Sequence, residues 1–517
     1  LVTSGKYEQR ERVSQFLPNI PRQGSDRLCN SLARTEVGFS TDLRTPFYRE
    51  ASREAIAADL ERRIGISEFE DLANIDEHER SKLGPLSIML PFNQRIGDVE
   101  KYGTQKFYAD QESFHLALAN VASLLPKNGL RPANFDTALE LLPKDTSLGL
   151  PWVSRDRYYV PSYFQRAVEL NDPKDIYPAI LYWRGQAAGP NATKQRVVWG
   201  MDHAETIFGA TVLYPLLNSL RTMPGYSAWL GDVYVDEAIT NLINTAQGRT
   251  IISMDYSSFD SSLSAPLLQG VDWVLGQWFD PEGVRRIALL AQIANTVPIV
   301  VPWELMLTKR NGGMPSGSVL TNMRDTIANR IALEYIGLRS NSTLMRFEIL
   351  GDDGVSVFAN DIDSKAVERF AAELGLECNP DKQFLSTDAV HYLQRWHSKR
   401  YVKDGLYRGV RSPYRALAGM TGYERFRENW NKYLDTSRWI MQIENCKNHP
   451  QFEAIVRFLK DGDSVLDSGM DPATVFRKAG GADVIRSVLN IASFPFNVQN
   501  PEGVESFQTT NVLRSLN

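Results

Sequence analysis

The sequence predicts an α+β fold built around a small antiparallel sheet, and three observations carry that prediction. Arg249-Thr-Ile-Ile-Ser-Met-Asp255 is a run with β-branched residues that ends on an acid. Met345 to Leu350 and Val355 to Phe358 alternate apolar and polar residues around Gly351-Asp352-Asp353-Gly354, the pattern of a β-hairpin with two aspartates at its tip. Between these strands lie two helix-like stretches, 265–279 and the segment running from Thr321 to about Ile336. A third helix near 364–374 completes a split βαβ arrangement, a sheet with helices on one face.

Composition sets the bounds. The chain has 517 residues, 43% hydrophobic and 23% charged, which is ordinary for a globular protein of roughly three domains. The longest apolar stretches, 296–303 and 209–217, are well short of a membrane span, which needs about 18 residues. No signal peptide or Arg-rich transit sequence opens the chain, and Leu1 in place of Met suggests a trimmed start. Cys29, Cys378 and Cys446 have no zinc-like spacing and read as buried thiols in a reducing compartment. The net charge of −5 lacks the basic excess of many nucleic-acid binders. Any RNA must therefore lie in an internal channel where Lys and Arg concentrate.

The acids come next. A strand-end carboxylate beside a hairpin-tip carboxylate suits divalent ions, because Mg²⁺ takes one or two carboxylates and completes its shell with water and phosphate oxygens. Nucleotidyl transfer uses two such ions about 3.5–4 Å apart. Asp255 and Asp352 are the candidate bridging ligands, Asp353 a supporting one, and the Tyr256 backbone carbonyl a further donor. The bland alternatives are a surface turn for Gly351-Asp-Asp353 and a helix cap for Asp255. Between the two centres, a glycine-rich loop, Gly312 to Ser318, feeds the helix that begins near Thr321. Thr321, Asp325 and Asn329 share one polar face of that helix, while Met323, Ile327 and Ile331 suit a core.

The order of these segments resembles the right-hand RNA-dependent RNA polymerases of viruses, in detail those of the picobirnaviruses and partitiviruses, which are double-stranded RNA viruses. Asp255-Tyr-Ser-Ser-Phe-Asp260 is similar to motif A, Pro315-Ser-Gly-Ser with Thr321 to motif B, and Gly351-Asp-Asp353 to motif C. Gly375 to Lys382 resembles motif D, Tyr392-Leu-Gln-Arg395-Trp motif E, Lys194-Gln-Arg196 motif F, and Thr146-Ser147-Leu-Gly motif G. Seven segments in family order span residues 145–396.

The resemblance implies roles. Lys194 and Arg196 grip the NTP triphosphate, and Ser316 and Gly317 line the loop under the incoming base. Lys382 is a candidate general acid for pyrophosphate, with an ordinary surface lysine as the alternative. Thr146 and Ser147 meet template phosphates, and Arg395 steadies the primer. Asp260 accepts a hydrogen bond from the ribose 2′-hydroxyl, which favours RNA over DNA synthesis. Its usual partner, an Asn four residues after the motif B threonine, is here Asp325, and two carboxylates cannot pair unless one is protonated or a cation or water intervenes. Whether Asn322 or Asp325 reads the sugar stays open.

The implied fold is fingers, palm and thumb. Residues 1–90 form an N-terminal extension bridging fingers and thumb, 91–248 the fingers, 249–279 and 313–396 the palm, 280–312 a fingers insertion, and 397–517 the thumb and C-terminal segment. Helices are expected over 421–441 and 452–459, and the turn-rich stretch 493–517, or a thumb loop, is expected to reach the active site as a plug. The implied activity is RNA synthesis from NTPs on an RNA template with two Mg²⁺ or Mn²⁺ ions. A capsid-associated, monomeric enzyme without membrane contact, in the virion interior and host cytoplasm, is the expected setting. Reverse transcription, or an inactive polymerase-like RNA-binding protein, are the rival readings; Asp260 opposes the first and the intact Asp255, Asp352 and Asp353 the second.

Overall fold

The computed structural model describes residues 10–144, 146–306, 310, 312–379, 383–425, 430–480 and 504–516. A first sheet is nucleated by a long hairpin, β1 (Ala179–Ala187) and β2 (Thr193–Gly200), whose register sets Arg184 opposite Arg196 and Gln186 opposite Lys194. Ile180 and Val300 on this sheet bury Leu28, Cys29 and Leu32 from the helix Arg22–Val37.

The central sheet is the one the alternation predicts. Strand β3 (Ile251–Met254) is buried along its whole length. The chain then supplies β4 (Ile299–Val301) and β5 (Glu304–Met306), which join the first sheet, β4 lying parallel to β1. Strands β6 (Leu344–Leu350), β7 (Asp353–Phe358) and β8 (Phe384–Ser386) complete the central sheet in the order β6-β7-β3-β8, every pair antiparallel. A separate hairpin of β9 (Ala389–Tyr392) and β10 (Arg395–Ser398) follows at once.

The helix Thr321–Arg339 corrects the expectation of a single core-facing stripe. Met323, Ile327 and Ile331 are buried, but so are Arg324, Asp325, Thr326, Asn329 and Arg330. Such a helix is tenable only if its polar groups find partners. Arg324 meets Asp272 at 2.8 Å and Arg330 meets Glu334 at 2.6 Å, while Thr326 and Asn329 bond to the hairpin tip described below.

A second core gathers the C-terminal helices Pro413–Thr421, Lys432–Glu444 and Phe452–Gly462. Its other contributors come from the opposite end of the chain: Phe47, Ile56, Ala57 and Leu60 pack into it. The expected helix over 421–441 is interrupted where Gly422, extended, bridges Arg44 of the N-terminal segment and Tyr423 donates its N–H to the Leu43 carbonyl at 2.8 Å. Farther along that segment, Leu90 donates to Gln195 at 2.9 Å and Thr193 donates to the Pro85 carbonyl at 2.8 Å, tying it to β2 as well.

The C-terminal stretch, expected as a plug, is described only in part. Residues 493–503 lie outside the described residues, but Gln508–Ser515 is a helix whose Leu513, with Phe507 before it, is buried in the second core. Glu444 caps it, accepting from Gln508 N, Thr509 N and the Thr509 hydroxyl at 2.8–3.2 Å. These residues face the C-terminal helices and not the cavity described next. Among the described residues no helix is long and apolar enough to cross a membrane.

Candidate active site

The β6–β7 tip is held by the helix beside it. Leu350 pairs with Asp353, leaving Gly351 and Asp352 as the turn, and the positive φ of 60° falls on Gly351, so neither aspartate bears that conformation. The Thr326 hydroxyl accepts from Gly351 N at 2.8 Å. The Asn329 amide donates to the carbonyls of Gly351 at 3.0 Å and Asp353 at 3.3 Å, while its oxygen accepts from the Tyr256 hydroxyl at 3.4 Å. One asparagine thus joins the segments carrying Asp255 and Asp353.

Strand β3 brings Asp255 to the same end of the sheet, since Met254 pairs with Gly354 and the next step along the ladder reaches Asp353. Gln383 secures it there: its side-chain oxygen accepts from Asp255 N at 3.3 Å and its amide donates to the Asp255 carbonyl at 3.1 Å. Enclosure and then the Asp352 charge push the Asp353 carboxyl up to about 8. Enclosure, followed by Asp260 and against the pull of Arg196, raises Asp352 as well. Carboxyls crowded in this way fit a bound cation, which would relieve their repulsion. Among the described residues no three acidic, His or Cys side chains converge as a ready-made ligand set.

Asp260 and Asp325 line one cavity of about 680 Å³ with the tip residues Asp352 and Asp353. Burial and then the Asp260 charge drive the Asp325 carboxyl well above its ordinary range. Asp260 is raised too, chiefly by burial, with the Asp325 hydrogen bond and Arg196 opposing. The pair therefore works with Asp325 as the protonated donor and Asp260 as the acceptor. Asn322 also lines the cavity, its oxygen accepting from Trp229 Nε1 at 3.1 Å.

The loop before the helix is fastened to β2. A Cβ on Gly317 would stand 1.7 Å from the Trp199 carbonyl oxygen, so only glycine fits. Ser316 donates to the Val197 carbonyl at 3.1 Å, and Thr321 donates back to the Pro315 carbonyl at 2.8 Å. Buried Glu205, which nothing in the sequence pattern singles out, accepts from the Ser318 hydroxyl at 2.6 Å, and burial raises its carboxyl to about 7. The cavity wall also carries Lys82, Arg184, Arg196, Arg411, Arg415 and Arg438, with Lys82 and Arg415 paired to Glu79 and Arg184 near Glu424, so a chain of negative net charge gathers cations beside these acids.

An acid-tipped hairpin, a second carboxylate pair and a basic wall around one cavity are what a nucleotide-joining enzyme requires, and the relatives agree. The model of the viral RNA-dependent RNA polymerase family matches residues 88–425. The chain is 30% identical over 472 residues to the potential RNA-dependent RNA polymerase of human picobirnavirus, covering 86% of each chain. This chain belongs to the viral RNA-dependent RNA polymerases. The polymerase is also 26% identical over 343 residues to the RNA-directed RNA polymerase of Cryptosporidium parvum virus 1, over 61% of this chain and 62% of that one. It superposes on the crystal structure of a human picobirnavirus RNA-dependent RNA polymerase with a TM-score of 0.81 and 26% identity, over 94% of this chain and 96% of that one. Its fold is accordingly the right-hand polymerase fold, and its reaction is RNA-directed RNA synthesis in viral transcription and replication.

Not every sequence-predicted residue of the polymerase reaches the cavity. Arg196 does, whereas Lys194, two residues earlier on β2, is exposed and does not line it, although its ladder partner Gln186 does. Thr146 is exposed and Ser147 half-buried, and neither lines the cavity. Lys382 lies outside the described residues. Arg395 needs correction: it is buried on β10, 3.5 Å from Asp232, which also holds Lys447 at 2.9 Å. A buried cation needs such a counter-charge, so its guanidinium is committed to the interior. The preceding turn residues, Leu393 and Gln394, line the cavity in its place.

Proposed function

We propose that this polymerase extends RNA by a two-metal reaction, with Asp255, Asp352 and Asp353 holding two Mg²⁺ or Mn²⁺ ions and the Tyr256 carbonyl completing the set. When bound, the ions activate the 3′-hydroxyl and neutralise the triphosphate. The reading rests chiefly on one observation: the carboxyls of Asp352 and Asp353, raised by burial and then by neighbouring carboxylates, sit at a tip that β3 brings beside Asp255. Arg196, whose charge acts on both Asp260 and Asp352, suits the triphosphate. Asp260, hydrogen-bonded by the Asp325 acid, keeps an acceptor for the ribose 2′-hydroxyl, with Asn322 at the rim. Leu393 and Gln394 support the primer end.

In domain terms, residues 91–248 and 280–312 act as fingers, 249–279 and 313–396 as palm, and the chain from 397 as thumb. The hydrogen bonds from 39–53 and 85–90 to both sides of the cavity support a bridging role for the N-terminal extension.

The test is incubation with single-stranded RNA, Mg²⁺ and either NTPs or dNTPs, beside Asp352→Ala and Asp260→Ala. Product from NTPs that vanishes in the first variant is expected. In Asp260→Ala, dNTP incorporation should rise relative to NTP incorporation; equal loss with both sugars would remove the ribose assignment.

A further inference from the structure

We propose that Gln383 is a positioning residue for the metal ligand Asp255, its carboxamide clamping both main-chain groups of that residue. The ladder between β3 and β8 runs from Ile251↔Ser386 to Ser253↔Phe384. On the far side of Asp255, Tyr256 bridges Cys378 and Ser257 donates to the Glu377 carbonyl at 2.9 Å.

A carboxamide carries the same acceptor and donor as a peptide group, and Gln383 uses both on Asp255, at 3.3 and 3.1 Å. The same amide also donates to the Asn379 carbonyl at 3.1 Å. The Gln383 side chain is buried, so losing these bonds leaves their partners poorly satisfied. Asp255 is thereby held just beyond the end of β3. The inference rests on the metal reading given above only for its functional half; the hydrogen-bonding half stands alone.

Gln383→Met, similar in volume and unable to make either bond, tests it beside the wild type. Hydrogen exchange in the peptide 251–258 should accelerate, with the thermal midpoint unchanged. Mn²⁺ affinity, read by paramagnetic resonance with a non-hydrolysable NTP analogue, should fall by about tenfold, the lower end for loss of a ligand's hydrogen-bond support. In turnover, kcat should fall with little change in the KM for NTP. Gln383→Glu, which keeps the acceptor for Asp255 N but loses the donor, should fall between the two, and it carries the test if the Met variant does not fold. Unchanged exchange in both variants overturns the clamp. Faster exchange with unchanged Mn²⁺ affinity overturns its role in metal binding, whereas a wild type that binds no Mn²⁺ overturns the metal reading itself.

Discussion

The β6–β7 and β9–β10 hairpins each deliver a two-residue tip to the same cavity, and they make those tips by different means. The first gives its positive φ to Gly351 and is braced by Thr326 and Asn329. The second places Leu393 and Gln394 at φ 52° and 62°, the left-handed pair of a type I′ turn that normally takes Asn-Gly. Its buried anchor lies just behind the tip, where Arg395 meets Asp232. The acidic tip thus combines a relaxed backbone with crowded charges, whereas its neighbour combines a strained backbone with uncharged tip residues. Rigidity is obtained in one case from hydrogen bonds and in the other from a conformation that the surrounding packing enforces.

The largest effect should come from removing the charge at the first tip. Asp352→Ala is expected to lower RNA synthesis by about 10³-fold while leaving thermal stability equal or higher, because a crowded carboxylate is gone. Activity that survived would remove the chemical distinction between the hairpins. Next in size, Asn329→Ala leaves the Gly351 and Asp353 carbonyls without their amide donor. A denaturant titration should register about 2 kcal/mol of lost stability, and turnover should drop with it.

Smaller, and opposite in sign, is Gln394→Gly at the exposed tip position, which leaves the buried Leu393 side chain in place. Relief of left-handed strain should stabilise the protein by about 1 kcal/mol. A fall in primer extension despite that gain would show that the tip's shape is selected for function; a loss of stability would mean the turn is not strained.

The smallest effect is in pH dependence. Glu348, on β6, is buried with its carboxyl raised to about 7, chiefly by burial, and it accepts from Ser227 N and the Ser227 hydroxyl. Because its folded pKa lies above its ordinary value of 4.5, its neutral form supports the fold below that value, and the support is lost as pH rises through about 7. Stability measured across that window should decline in the wild type and flatten in Glu348→Gln.

Much of this site is legible in the sequence. The β-branched run before Asp255 and the alternation around Gly351-Asp-Asp353 define strands by local preference, and the central sheet follows. The positions of Asp260, Ser316 and Asp325 near one cavity follow from their order along those elements. What local pattern cannot convey is partnership across the chain. Arg395 looks like any basic residue until Asp232 is found 3.5 Å away. Gly317 reads as a flexible loop residue, although its necessity comes from the Trp199 carbonyl pressed against it. Glu205 and Gln383 match no motif, because their roles consist of bonds to Ser318 and to the Asp255 main chain. The polar face of the Thr321–Arg339 helix was visible, but that it would be buried against the hairpin depended on Gly351 and Asp353 offering bonds.

The shared C-terminal core has a consequence for biosynthesis. Phe47, Ile56 and Leu60 leave the ribosome early, yet the residues that cover them, including Leu417, Trp439 and Ile455, are made more than 350 positions later. Until then this apolar segment has no native partner, so the nascent chain must carry it in a guarded or provisional form while the central sheet assembles first. Closure of the chamber therefore awaits synthesis of the C-terminal helices, and a chain truncated before them exposes its sticky N-terminal stretch instead of yielding a partly working enzyme.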